Sequence, residues 1–234
     1  MDYLSGKTAI VTGVSKGLGM AFCEALTAKG VKTAGWGKTP TTFEHPLFKY
    51  FPCNFNSAES VEDTWIKTKE YLGEHAAFLI NNAGFGHFNP VENMSPELWE
   101  AQVQINLNAP FYCTRVVVPG MKTAGFGHIV NLSSVAGKTG SSWGSAYSAT
   151  KFGLAGFSES LMQELREFGI KVSVIYPGST ATHFFDEVPG ISVHENMLRP
   201  QDIADALISV LNTSPNNLIS ELVIRPLISK PPKR

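Results

Sequence analysis

Cysteine is scarce in this chain. Only Cys23, Cys53 and Cys113 occur, far apart and with no CxxC pair. That spacing supplies neither a zinc ligand set nor a disulfide framework, and an odd, sparse set suits a reducing cytosol. Charge of neither sign is in excess: 19 lysines and arginines face 20 aspartates and glutamates, a net of −1. Nothing in that balance draws nucleic acid or an acidic membrane. Long apolar runs are also missing. None nears the about 20 residues of a membrane-spanning helix, and no charged-then-apolar leader opens the chain. These absences predict a soluble, cytoplasmic protein with no metal, nucleic-acid or membrane partner. The one locally basic stretch, the terminal KPPKR, reads as a solvated end.

What is present is a regular alternation. The 234 residues, 43% of them hydrophobic, suit one domain over residues 1–234. Short β-branched and apolar runs read as strands: TAIVT, VKTAGW, FKYFPC, AFLINN, GHIVNLSS, KVSVIYPG and ELVIRP. Helical patterns separate them. One runs from Gly17 to Lys29 and stops at Gly30; another opens at Ser57 and ends near Gly73. A long one runs from Ser95 to Met121 with Pro96 at its first position. Ser145 to Phe168 and Pro200 to Asn212 complete the set. Seven strands alternating with helices predict an α/β fold, a doubly wound, mostly parallel sheet with helices on both faces.

The turn after the first strand is rich in glycine: TGVSKGLG, Thr12 to Gly19. Gly13 permits a sharp turn, Gly17 lets backbone approach a phosphate, and Gly19 lets the helix pack closely. The strand-before, helix-after setting predicts a dinucleotide site, with pyrophosphate at the helix start. At the end of the second strand, where an acid would grip a ribose 2′-hydroxyl, the chain reads GWGKT instead. Lys38 there, and Lys16 inside the turn, suit a 2′-phosphate and hence NADP(H). Both lysines read alternatively as solvated surface charges.

The stretch SAYSATKFG places Tyr147 and Lys151 four apart, on one face of a helix otherwise made of small residues. A phenol beside an ammonium is a natural proton donor and acceptor.

With these stretches together, the chain resembles the short-chain dehydrogenase/reductase family. Five motifs stand in order: TGVSKGLG at 12–19, NNAG at 81–84, Asn106 in INLNAPF, Ser134 ahead of YSATK at 147–151, and PG at 177–178. The resemblance implies a Rossmann-type fold and the reduction of a carbonyl compound to an alcohol by NADPH. It makes Tyr147 the general acid, with Lys151 and an oxidised nicotinamide lowering its pKa and Lys151 holding the nicotinamide ribose. It has Ser134 bind the substrate oxygen, and Asn106 kink its helix and hold a water that relays protons. It implies that the cofactor lies along Gly13, Ser15, Lys16, Gly17, Leu18 and Gly19, and along Asn82, Ala83 and Gly84. Asn54 and Phe55 fall beside the adenine, although the family usually has an aspartate at position 54. Pro177, Gly178, Thr180 and Thr182 cover the nicotinamide, with Thr180 in place of the more usual aliphatic residue. By themselves, Asn106 reads equally as an ordinary helix position and Ser134 as a loop hydroxyl.

The candidate substrate walls are Phe85, His87, Ser134, Trp143, Phe184 and Phe185, mostly aromatic, which suits a small apolar or flat carbonyl compound. Singly, each aromatic reads as packing and His87 as a surface histidine. The loop from His183 to Asn196 has no basic cluster to greet an acidic carrier protein. A 3-oxoacyl-(acyl-carrier-protein) reductase is therefore the second reading, and a catalytically silent nucleotide sensor or scaffold the third. The family usually forms dimers or tetramers, which would bring Phe111, Tyr112, Phe152 and Phe157 to an interface. They read equally as core.

Overall fold

The computed structural model describes residues 2–185 and 192–228, without the side chain of Phe185. The expectation for the Phe185 ring, the middle of the 183–196 loop and the basic tail lie outside the described residues.

All seven expected strands form. They are β1 (Thr8–Thr12), β2 (Lys32–Gly37), β3 (Phe48–Pro52), β4 (Phe78–Asn81), β5 (Gly127–Leu132), β6 (Ile170–Pro177) and β7 (Glu221–Ile224). Every pairing is parallel, in the order β3-β2-β1-β4-β5-β6-β7. The chain winds outward in one direction from β1 and in the other from β4. Between them a crevice opens at the carboxyl ends of the strands.

Among the described residues the α-helices are α1 (Gly17–Ala28), α2 (Ala58–Leu72), α3 (Pro96–Val103), α4 (Ala109–Ala124), α5 (Ser145–Leu165) and α6 (Pro200–Leu211), all but α3 packing on the sheet. Side-chain alternation divides the core. Ala9, Val11, Phe78, Ile80 and Val130 point to one face, where Phe22 and Leu26 of α1 and Ile203 and Leu207 of α6 pack on them. Ile10, Leu79 and Ile129 point to the other, against Val61 and Trp65 of α2, Val117 and Met121 of α4, and Leu161 of α5. With both faces buried, the strands read as continuous apolar runs.

The expected long helix at Ser95–Met121 differs in two ways. Ser95 does cap it, its hydroxyl accepting from the Leu98 N–H at 3.3 Å. A widened π-type turn at Gln104–Asn108 then separates α3 from α4. The helix, with Pro119 inside it as expected, also runs on beyond Met121 to Ala124, where Gly125 ends it in the left-handed conformation. A mid-helix proline forfeits one backbone bond, and here packing of α4 on the sheet outweighs that loss. Among the described residues no helix is long and apolar enough to cross a membrane.

His128 on β5 is 2% exposed. Its Nε2 lies 2.8 Å from the Ser173 hydroxyl, which itself donates to the Ile219 carbonyl at 2.6 Å. Burial, reinforced by nearby Lys171, pushes its pKa down to about 3. Above the ordinary histidine range, native and unfolded chains both hold it neutral. Between that range and about pH 3 only the unfolded chain takes up the proton, so stability falls as the pH falls. At pH 5 this one group is expected to cost about 2 kcal/mol relative to pH 8. Urea unfolding at both pH values checks this, with His128→Gln expected to lose correspondingly less.

Candidate active site

The glycine turn and the segment after β4 form one interlocked unit. Gly13 adopts φ +73°, and a methyl group there would lie 2.8 Å from the Ala83 Cα. A methyl at Gly19 would collide with the Gly13 carbonyl oxygen. The Asn82 amide donates to the carbonyls of Thr12 and Gly13 at 2.8 and 3.1 Å. The Thr12 hydroxyl accepts from the N–H groups of Asn82 and Ala83 at 3.0 and 2.9 Å. The side chain of Asn82 thus pins the turn. Helix α1 begins at Gly17, with no side-chain cap and no acid in its first turn. Its first N–H groups and the positive end of its dipole are left to an anion. Ser15 and Leu18 flank that start half-buried, and Lys16 is exposed. The close approach and the uncapped helix fit a dinucleotide pyrophosphate.

The other expected cofactor contacts lie along the same edge. Lys38 is exposed after β2. Beside it the Gly37 carbonyl accepts from the Tyr50 hydroxyl at 2.7 Å. Asn54 is exposed, its side-chain oxygen accepting from the Asn56 N–H at 3.2 Å. Phe55 is buried, and its carbonyl accepts from the Gln104 amide at 2.9 Å. Pro177 ends β6, and Gly178 donates to the Ile224 carbonyl at 2.7 Å. Thr180 is buried with its hydroxyl on the Gly178 carbonyl at 2.9 Å. The Thr182 side chain faces Gly17, 3.6 Å from where a methyl would stand.

Tyr147 and Lys151 sit on the inward face of α5, 7% and 4% exposed. The Lys151 ammonium donates to the Leu132 carbonyl at 2.8 Å and lies 5.7 Å from the centre of the Tyr147 ring. Ser134, just beyond β5, is close enough to the Tyr147 hydroxyl to favour its ionised form, and its own hydroxyl accepts from the Ala136 N–H at 3.1 Å. Asn106 lies inside the π-turn, fully buried. It accepts from the Phe85 N–H at 3.1 Å and donates to the Phe85 carbonyl at 2.9 Å and the Thr150 hydroxyl at 3.1 Å. Gly84 lies next to it, where a methyl would stand 2.8 Å from the Asn106 side-chain oxygen and 3.5 Å from the Lys151 nitrogen.

The lowered phenol pKa expected of Lys151 together with an oxidised nicotinamide is not produced by the protein's own groups by themselves. Burial instead pushes Tyr147 up to about 12, with the Ser134 hydrogen bond acting in the other direction. The same burial pushes Lys151 down to about 8. A poorly solvated site penalises the phenolate and the ammonium alike, which raises the one and lowers the other.

Of the expected substrate walls, Phe184 stands 5.5 Å from Tyr147, ring centre to ring centre. His87 is half-buried, its N–H held by Gln102 at 3.0 Å. Among the described residues the rings packed on Tyr147 are those of Phe184 and Phe88, and Phe85 and Trp143 lie outside that cluster. Trp143 is 56% exposed in a left-handed backbone (φ +61°), its carbonyl accepting from the Asn89 N–H at 2.8 Å. Sequence reasoning passed over Phe88, which is 5.5 Å from Tyr147. Its place four residues after Gly84, past a strand's carboxyl end, was the signal available.

A crevice at the switch point of a parallel sheet, a glycine turn for a pyrophosphate, and a buried tyrosine and lysine with a half-buried serine beside them define a dinucleotide-dependent oxidoreductase. Comparison with known proteins narrows this. The family model for short chain dehydrogenases matches residues 7–189. A D-beta-hydroxybutyrate dehydrogenase of Cupriavidus necator is 34% identical over 76% of this chain and 72% of its own. A 3-oxoacyl-(acyl-carrier-protein) reductase of Escherichia coli is 34% identical over 76% of this chain and 75% of its own. The structure of a metagenomic short-chain oxidoreductase in complex with NADP superposes with a TM-score of 0.80, at 29% identity, covering 97% of this chain and 99% of that one. The chain belongs to the short-chain dehydrogenase/reductase family.

Replacing Asn106 by leucine would leave the Phe85 N–H and carbonyl without their partners. A stability loss of about 2 kcal/mol or more is expected, read from urea or thermal unfolding against wild type.

Proposed function

We propose that the protein reduces a small apolar carbonyl compound to an alcohol with NADPH, residues 1–234 acting as one domain. The observation that carries this reading is the burial of Tyr147 and Lys151 together on α5, with the half-buried Ser134 beside them just past β5. When bound, NADPH supplies the hydride that reaches the carbonyl carbon. The Tyr147 hydroxyl gives its proton to the carbonyl oxygen as negative charge grows there, and the Ser134 hydroxyl orients that oxygen toward it. Burial keeps the Tyr147 phenol protonated, so the proton is present to be given, and the positive charge of Lys151 beside it offsets the weaker acidity that burial brings. Lys151 holds the nicotinamide ribose and, while charged, stabilises the phenolate left behind. Asn106 keeps α5 and the post-β4 segment at a constant separation. Lys16 and Lys38, exposed and with no carboxylate at the end of β2, favour the 2′-phosphate over the free hydroxyl.

The metagenomic relative's NADP complex supports the cofactor assignment. The Escherichia coli relative supports 3-oxoacyl-(acyl-carrier-protein) reduction as a second reading. The rings of Phe88 and Phe184 over Tyr147 favour a free apolar substrate. We further propose a cytoplasmic homodimer or homotetramer. Three free buried thiols support the compartment. Phe111 and Phe152, each 47% exposed on α4 and α5, support an interface there, and light scattering measures the mass.

A screen of carbonyl compounds, followed by NADPH oxidation, tests the reaction. Tyr147→Phe is expected to bind NADPH nearly normally and to lose about 1,000-fold in kcat. Retained turnover would remove Tyr147 from the proton path. Lys38→Ala or Lys16→Ala is expected to weaken NADPH about tenfold relative to NADH. For reduction, kcat/KM is expected to decline above about pH 8, where Lys151 loses its charge. A profile level to pH 10 would contradict that role.

A further inference from the structure

Two buried amides, one helical turn apart, grip the segment that follows β4. The Gln102 side-chain oxygen accepts from the His87 N–H at 3.0 Å, and Asn106 takes both backbone groups of Phe85. Gln102 is fully buried on α3. An apolar side chain would pack at such a position without the cost of desolvating an amide. Among the described residues its nitrogen finds only the Met94 sulfur at 4.0 Å, a weak acceptor. Its contribution therefore rests on the bond to His87.

Between the two gripped residues lies Gly86. A methyl there would stand 2.7 Å from the Phe184 ring, 2.9 Å from Phe88 and 3.1 Å from Tyr147. The three rings close over this glycine. Phe88 and Phe184 are each 5.5 Å from Tyr147, tilted 49° and 52°, and stand edge to face with each other at 6.2 Å. Beyond Phe88 the segment is tied again, by the Asn89 N–H on the Trp143 carbonyl at 2.8 Å. Phe88 thus has its direction set from both sides: from α3 through Gln102 and from the approach to α5 through Trp143.

We infer that Gln102 is a positioning residue that, through the His87 amide, sets Phe88 against Tyr147 and so selects carbonyl compounds carrying a flat, apolar ring beside the carbonyl. The inference rests on the proposed carbonyl reduction. A ring seated on Phe88 gains tilted and edge contacts that a short alkyl chain cannot make.

The test compares acetophenone with butanone in wild type, Gln102→Met, Phe88→Leu and the double variant, with NADPH binding and thermal midpoint as controls. Gln102→Met keeps the shape and removes the acceptor, and Phe88→Leu removes the ring and keeps an apolar wall. The ratio of kcat/KM for acetophenone over butanone is expected to fall about tenfold in each single variant, mostly through KM for acetophenone. The double variant is expected to fall little further, because both changes remove the same contact. An unchanged ratio in both single variants, or equal losses on both ketones, overturns the inference while leaving the reaction standing. A wild-type protein that binds NADPH and reduces neither ketone overturns the proposed reaction and the inference with it.

Discussion

The buried side chain of Asn106 is the constraint on which the site depends. An amide taken wholly out of water is tolerated only if its groups find partners. Here both N–H bonds and the oxygen are used, on Phe85 and Thr150. Those partners belong to the segment after β4 and to α5, so one side chain joins three parts of the chain. The wide turn at Gln104–Asn108 goes with it, as π-turns commonly do where a side chain must be re-aimed inside a helix. Lys151 is the residue next to Thr150, and its ammonium rests on the last carbonyl of β5. The spacing between α5 and the sheet edge is therefore set by hydrogen bonds rather than by apolar packing alone.

Burial then sets the chemistry. The rings of Phe88 and Phe184 on one side and the sheet edge on the other exclude water from Tyr147. With little solvent, the charged form of each group is disfavoured, which raises the phenol and lowers the ammonium. The opposing shifts leave a neutral proton donor beside a base whose charge responds to mild alkali. The rings that cover Tyr147 thus also tune it.

The sheet supplies convergence. Thr12, Asn81, Leu132 and Pro177 are the last residues of strands far apart in sequence, yet all end on one edge because every pairing is parallel. Where β1 and β4 lie side by side, the glycine turn and the NNAG segment meet, and Asn82 and Thr12 stitch them together. The tight fit at Gly13 and Gly19 makes the turn part of the core rather than a loop on its surface.

Local chemistry was enough to read the strands, the helix starts at Ser57, Ser95 and Pro200, the glycine turn, and the pairing of Tyr147 with Lys151. Each depends on neighbours within one or two turns, and that information is carried by the order of residues. The π-turn, the last three residues of α4 beyond Met121, the grip of Gln102 on His87, and the place of Phe88 rather than Trp143 against Tyr147 were not legible this way. Each is settled by which surfaces meet once the sheet has formed. The direction of the Tyr147 shift belongs with them. A sequence shows that a lysine lies near a tyrosine, but only the folded chain shows how little water reaches either, and for a buried ion that decides which effect wins.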